Sequence, residues 1–470
     1  MPTALPYSYM TYAAAQQTLA NRLYDPTMTF WSQTEIGLYL QEALRTWNAF
    51  TSYWRDDFIF PLQQNVTFYD MSNLVAMPTT PRPFTVLDTN LYTQMLYHLL
   101  EPPTGIASLQ FSQDDLIAAT MRRRDEILSI TGCTTTLRYV SAVAGRIQLP
   151  DSVIDVRRVT YLPTQTGGIP YGTGLYGVGP YGGNLRASVN ASVLWPEDTW
   201  AEQSFQRLYP LLPAGSQPLA PSVYLLSTQP PISFDVDVPP SFGGQYELLT
   251  IEAGPQLLAG SPSLLSIPDD WTHVLKWGAL ADLLSRESNA KDPSRAAYCE
   301  QRYRMGTSLL STAPAILAMR VGNVPLQIDA ITAGDQYNTS WEMSTPGAPQ
   351  TIYTAGMNIL AASPVSDIGP YSLTATVVRN APLPSLPGDY LQCGRDDLDA
   401  IIDYAQHLAA FKMGGLEFTA TLPLFQRFLK QASQYGLKLA ELGEYTSVIF
   451  GQAQRDDQMH PRMAPTQEPS

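Results

Sequence analysis

The sequence predicts an α+β chain of several modules, with helical modules (N-terminal, central and C-terminal) alternating with β-rich ones. Three observations carry that expectation. At 470 residues the chain is longer than one ordinary hydrophobic core serves. Apolar residues recur at helical spacing in three separated regions. Between those regions lie short β-branched and aromatic runs punctuated by Pro and Gly.

The elements follow in order. Residues 11–24 read as a helix broken by Asp25-Pro26. Ser32-Gln-Thr-Glu35 is a capping-box pattern, in which the Ser hydroxyl takes a free backbone N–H and Glu35 reaches back to the cap. Behind it Ile36, Leu40, Ala43, Leu44 and Trp47 fall on one helical face. Residues 88–100 and 112–130 are two further helices, the second stopping at Gly132. From Thr136 the pattern turns to strands over 137–143, 146–149, 153–161, 222–228, 232–238 and 245–252. A glycine–tyrosine tract over 167–183 interrupts them, and Trp195-Pro196 is expected to open a short helix through Trp200. Ile267-Pro-Asp-Asp270 begins a strong helix through Leu284, and residues 294–310 form its partner. The segment 313–366 reads as loop-rich, 371–379 as a strand, 396–411 as a helix, and 423–450 as a terminal hairpin or long helix after Gly414-Gly415.

These elements group into modules at 1–135 (helical), 136–265 (β-rich), 266–312 (helical hairpin), 313–395 (loops and strand), 396–455 (helical) and a polar tail, 456–470. Residues 244–284 and 369–411 repeat the order strand, Pro-rich connector, acidic turn, helix. A duplication and independent use of the same αβ order both explain that echo.

Composition narrows the class of function. Charged residues make up only 15% of the chain, against about 25% for typical soluble proteins. Charge depletion with Tyr, Trp, Met and Arg retained is the composition of protein–protein interfaces. Lys is nearly absent (Lys276, Lys291, Lys412, Lys430, Lys438), and Arg suits interfaces because its planar fork pairs bidentately. A GC-rich genome produces the same replacement of Lys by Arg. A net charge of −14 argues against a general nucleic-acid binder, although an acidic wall suits DNA that must slide past. Cys133, Cys299 and Cys393 form no CxxC pair and read as reduced, buried side chains. Residues 1–20 carry no basic residue and no apolar core, and no apolar run reaches the ~18 residues of a membrane span. Synthesis in the cytoplasm, with no leader and no membrane partner, is the expectation.

No catalytic, cofactor or metal constellation is found, so the chain is read as non-enzymatic. Gly172-Thr-Gly174-Leu-Tyr-Gly177 matches GxGxxG, but Pro170, Gly179-Pro180 and Gly182-Gly183 forbid the strand–turn–helix that a dinucleotide needs. Asp269-Asp270 and Asp396-Asp397-Asp399 are expected to offset helix dipoles rather than hold metal. His98, His273, His407 and His460 are isolated from one another and from Cys. The candidate interaction residues are Tyr171, Tyr176 and Tyr181, wide amphipathic rings on a glycine-rich loop, and the basic run Arg122, Arg123 and Arg124. The tyrosine loop is expected to order against a partner. The arginines are expected on a solvated or interface helix, with contact to DNA or an acidic partner as the sharper reading.

Leu19-Ala-Asn-Arg-Leu-Tyr-Asp-Pro26, Phe30-Trp-Ser32, Glu35-Ile36 and Glu42-Ala-Leu-Arg-Thr-Trp-Asn48 together resemble the opening of tailed-phage head–tail connector (adaptor or neck) proteins. A second block is similar to phage neck and tail proteins: Ile267-Pro-Asp-Asp-Trp271, Lys276-Trp-Gly-Ala-Leu-Ala-Asp-Leu-Leu284 and Arg295-Ala-Ala-Tyr-Cys-Glu-Gln-Arg-Tyr303. The two blocks cover under a fifth of the chain and consist mainly of amphipathic helices and caps. The resemblance implies a virion subunit of a homo-oligomeric ring, commonly twelve-fold. Such a ring binds the portal protein and tail proteins, and DNA passes through without sequence-specific contact. Alternatives are a tail tube, nozzle or other neck ring protein. From another class comes a receptor- or glycan-binding tail protein, with or without hydrolase activity, which the helices over 396–450 oppose. A soluble host enzyme is opposed by the missing chemistry.

Overall fold

The computed structural model describes residues 9–64, 66–71, 86–101, 111–142, 146–162, 192–196, 221, 223–227, 231–236, 244–287, 291–313, 316–322, 324–337, 341–367 and 371–441. The chain is mixed α and β in several modules.

Helices α1 (Tyr12–Arg22) and α2 (Gln33–Thr51) form where the spacing predicts. Ser32 accepts the Glu35 N–H, but Glu35 does not return to the cap. Its carboxylate accepts instead from the Tyr39 hydroxyl at 2.6 Å and from Lys412 at 3.0 Å. Both halves of a capping box are made by Ser112 and Asp115 at the start of α4 (Gln113–Thr131), which follows α3 (Asp88–His98).

The hydrophobic core that holds these helices also takes in α5 (Thr272–Ser285), α6 (Pro293–Thr312), α8 (Arg395–Phe411), α9 (Gly415–Ala420) and α10 (Leu422–Glu441). The three helical regions of the sequence therefore share one interior. Helix α5 lies at its centre, buried on every face from Thr272 to Ala281. Its neighbour α6 comes close because Gly278 and Gly306 present no side chain. A Cβ at Gly278 would stand 2.6 Å from the Tyr303 ring, and one at Gly306 would collide with Val274.

The β structure is richer than the sequence pattern predicts. Strands β1 (Arg55–Pro61) and β2 (Phe68–Asp70) leave the N-terminal helical region, where no strand is expected. The supposedly loop-rich segment after Ala313 contains β10 (Ile316–Val321), β11 (Val324–Pro325), β12 (Gln327–Ala330), β13 (Thr351–Ala355) and β14 (Ile359–Ser363). It also holds the short helix α7 (Ile331–Tyr337) and a 3-10 turn, Trp341–Met343. With β15 (Ser372–Val378) these strands make two four-stranded sheets, ordered β1-β15-β10-β11 and β12-β13-β14-β2. Phe60, Met319, Leu373 and Val377 of the first sheet pack on Ile352, Leu360 and Ala362 of the second.

A third sheet holds β3 (Thr136–Ser141), β4 (Ile147–Gln148), β5 (Val153–Leu162), β6 (Ser192–Pro196), β7 (Val223–Ser227), β8 (Ser233–Val236) and β9 (Gln245–Glu252). Its order is β3-β9-β5-β6-β7-β8-β4. It rolls on itself. Phe234 on β8 and Tyr246 on β9 are 5.3 Å apart between ring centroids, although four strand steps separate them, about 19 Å in a flat sheet. Trp195 and Pro196 are the last residues of strand β6, in which Ser192–Leu194 pairs with β5 and Trp195–Pro196 with β7; residues 197–200, where the short helix is expected to continue, lie outside the described residues.

The third sheet covers the outer face of the second, where Leu137 and Leu249 meet Ile331, Trp341, Tyr353 and Ala361. The result is three β layers, with β14 buried along its whole length. A strand covered on both faces has no alternation of apolar and polar residues, which is why residues 351–363 carry no readable strand period. The two echoing segments each place an antiparallel central strand (β9, β15) before a helix (α5, α8), in different sheets.

Candidate interaction surface and buried polar centre

The basic run on α4 is spent largely inside the chain. Arg124 is buried and donates to the carbonyls of Pro255, at 2.7 Å, and Gly254. Arg123 donates twice to Asp282, is 2.9 Å from Glu300, and lies over the Tyr303 ring. Arg122 pairs with Asp282 as well, and it alone of the three is mainly exposed, at 66% of its side chain. Successive helical residues point about 100° apart, so three adjacent arginines cannot face one partner. The docking surface expected there reduces to one side chain.

Asp269 and Asp270 do stand in the first turn of the 3-10 segment that runs into α5, as expected, and their carboxylates are also spent on longer-range bonds. The 3-10 turn Asp269–Trp271 buries both carboxylates. Asp269 accepts from the backbone of Val86 and from Asn380, and Asp270 from the Asn48 amide and the Ala381 N–H. They tie the helical core to the chain leaving β15. Asp396 and Asp397 do lie in the first turn of α8, and Asp399 meets Arg22 at 3.1 Å.

A second surface, which sequence reasoning missed, is the turn between α1 and α2. Tyr24 and Met28 adopt left-handed backbone, φ +58° and +54°. Non-glycine residues hold that conformation only when their surroundings impose it. The cause here is Asp25, whose carboxylate accepts the N–H groups of Thr29 (2.9 Å), Phe30 (2.8 Å) and Trp31 (3.0 Å). Those bonds hold the Asp25 carboxyl below its ordinary range. Trp31 anchors the turn by donating to the Ala409 carbonyl, and Lys412 donates to the Phe30 carbonyl. The rigid turn leaves Tyr24 94% exposed and Phe30 half exposed; Lys412 lies over the Phe30 ring, and Met413 and Leu416, which follow it in the chain, are exposed, the latter at 88%. The one signal in the sequence was Asp25-Pro26 followed by two aromatics.

The histidines and a lysine form a buried polar centre. Lys276 is fully buried, ion-paired with Glu42 and 3.0 Å from His98 Nε2. Burial pushes the Lys276 ammonium below its ordinary value while Glu42 opposes that, and burial keeps His98 neutral. A neutral His98 accepts through Nε2, so its proton sits on Nδ1. Nearby, Arg302 donates to Tyr404 and Tyr298 and stacks 4.1 Å from the Phe425 centroid. Tyr298 meets His407, which burial, aided by Arg302, depresses to about 3. Lysine, histidine and glutamate could move a proton, but the Lys276 side chain has no exposure at all. The groove of about 280 Å³ lined by Tyr12, Gln16, Gln33, Thr34, Leu38 and Gln41 contains none of these groups.

Burial raises the thiol pKa of Cys133, Cys299 and Cys393 (Cys393 to about 12), so all three stay unreactive. Among the described residues no group of three or more His, Cys, Asp or Glu is placed to hold a metal ion, and no helix is long and apolar enough to cross a membrane. Tyr171, Tyr176, Tyr181, the GxGxxG match and His460 lie outside the described residues. No protein-family model matches the chain, and no curated protein matches it.

Proposed function

We propose that the chain is a non-enzymatic structural subunit of a tailed-phage particle, forming a ring that connects portal and tail around a DNA channel. The observation that carries this reading is the Asp25-locked turn. It falls inside the block that resembles connector openings, and it presents Tyr24 and Phe30 on a backbone fixed before any partner arrives. Preorganised aromatic anchors suit a repeated subunit contact, because little conformational freedom remains to be lost on docking. A ring neighbour or the portal is the partner proposed for this surface. The same features suit another neck ring, a nozzle or a tail tube protein, and position in the particle separates those roles.

Sedimentation with and without portal protein tests the reading. The wild-type chain is expected to form a closed ring, on portal if not alone. The double variant Tyr24→Ser, Leu416→Ser is expected to keep its melting temperature and lose assembly. A monodisperse monomer that never joins portal would overturn the connector role.

Charge supports passage of DNA without adhesion. The described arginines are widely paired with carboxylates, as in Arg138–Glu252, Arg146–Asp235 and Arg427–Asp403, and the chain remains at −14. Duplex DNA is therefore expected to bind weakly at physiological salt and without sequence preference. Tight binding with a steep salt dependence in a filter or anisotropy assay would contradict an acidic channel.

A further inference from the structure

The joint between the second and third sheets contains a charge cluster that the assembly reading does not use. Arg158 of β5 is 4% exposed and donates to both oxygens of Asp335 on α7, at 2.8 and 3.2 Å. The same guanidinium is 2.7 Å from Glu342 of the Trp341–Met343 turn and 3.8 Å from Glu247 on β9. Three carboxylates, each at most 10% exposed, thus face one cation. The remaining polar and aromatic neighbours leave the charge uncompensated. Tyr139 of β3 donates to Glu247 at 2.9 Å and the Trp341 indole donates to Asp335 at 2.9 Å, while β2 and β13 contribute the rings of Phe68 and Tyr353.

Two surplus negative charges in a buried site are costly, and the least compensated carboxyl takes up a proton instead. Glu247 is that group, being farthest from the guanidinium. Arg158 and Glu247 belong to the third sheet, Asp335 and Glu342 to the second sheet's covering helix and turn. We propose that this cluster is a proton-held clasp, in which a protonated Glu247 keeps the third sheet closed on the second and its ionisation loosens the joint.

Burial and Glu342 push the Glu247 carboxyl up to about 7, and burial raises Glu342 as well. A carboxyl raised on folding holds a proton that the open form releases. Its stabilising effect is complete at pH below the ordinary carboxylate range and is lost as pH climbs through about 7.

Hydrogen exchange of the full chain tests the clasp, with rates corrected for the intrinsic pH dependence of amide chemistry. Between about pH 5.5 and about pH 8.5, protection of residues 153–162 and 331–337 is expected to fall by about tenfold or more, with residues 395–411 as an unchanging reference. Glu247→Gln, neutral at every pH, is expected to stay closed throughout. Tyr139→Phe removes a bond that favours the ionised carboxylate, so the transition should move to higher pH. Three results would each overturn the proposal: no pH dependence in the wild type, the same dependence in Glu247→Gln, or an unmoved midpoint in Tyr139→Phe.

Discussion

Glu42→Ala is expected to destabilise the chain by ~3–5 kcal/mol near neutral pH, because it leaves the Lys276 ammonium buried and unpaired. Glu42 comes from α2, Lys276 from α5 and His98 from α3, so the loss falls where three helices meet. His98 cannot take over as a counter-charge, since an imidazole is either neutral or cationic and burial keeps this one neutral. The loss should depend on pH with a defined sign. Without Glu42 the lysine pKa in the folded state falls further below its value in the unfolded chain. The variant should then regain stability as pH rises toward the ordinary lysine range, and lose it as pH falls. The double variant Glu42→Leu, Lys276→Met should recover most of the loss, because an apolar pair of similar volume carries no desolvation cost. Urea unfolding across pH measures all three. A loss under about 1 kcal/mol in Glu42→Ala would show that the pair is not the buried contact described here.

Asp270→Ala is the second large effect, at ~2–4 kcal/mol. The Asp270 carboxylate takes the Ala381 N–H and an Asn48 amide N–H, and its residue is 6% exposed. Asn48 in turn donates to the Arg379 carbonyl at 2.7 Å and accepts from the Trp54 N–H at 2.9 Å. This set joins the end of α2, the start of β1, the exit of β15 and the turn before α5. Alanine leaves buried donors without acceptors, which costs more than the net value of the bonds themselves. Asp270→Asn keeps the shape and one acceptor, so its loss should be smaller. Thermal unfolding gives the magnitude, and limited proteolysis between residues 379 and 394 reports the loosened junction. Equal stability of both variants and the wild type would remove Asp270 from this role.

The surfaces differ in how far the sequence foretold them. The run Arg122-Arg123-Arg124 is conspicuous in the sequence and mostly internal in the structure, since Asp282, Glu300 and the carbonyls of Gly254 and Pro255 arrive from distant segments. The turn carrying Tyr24 and Phe30 is inconspicuous, because its rigidity comes from one carboxylate bonding three backbone groups. The clasp around Arg158 was out of reach altogether. Its members come from three segments about ninety residues apart, at Arg158, Glu247 and the pair Asp335 and Glu342, and each alone resembles an ordinary surface charge.

What the sequence by itself determined is the mixed α+β character and the existence and approximate position of α1, α2, α3, α4, α5, α6 and α8. Those depend on local physics: 3.6-residue periodicity, N-cap hydroxyls at Thr11, Ser32 and Ser112, and the left-handed stop at Gly132. Strand β9 was equally legible, as a β-branched and aromatic run bounded by glycine and an acidic exit. Tertiary structure alone decided that three helical regions share one core, that β1 and β2 pair with strands some three hundred residues away, and that β13 and β14 are strands at all. It also decided that Asp269, Asp270, Lys276 and Arg124 are interior groups. The physical reason is the same in each case. A strand covered on both faces shows no alternation, and a charge is buried only where its partner, supplied by a remote segment, offsets the loss of water.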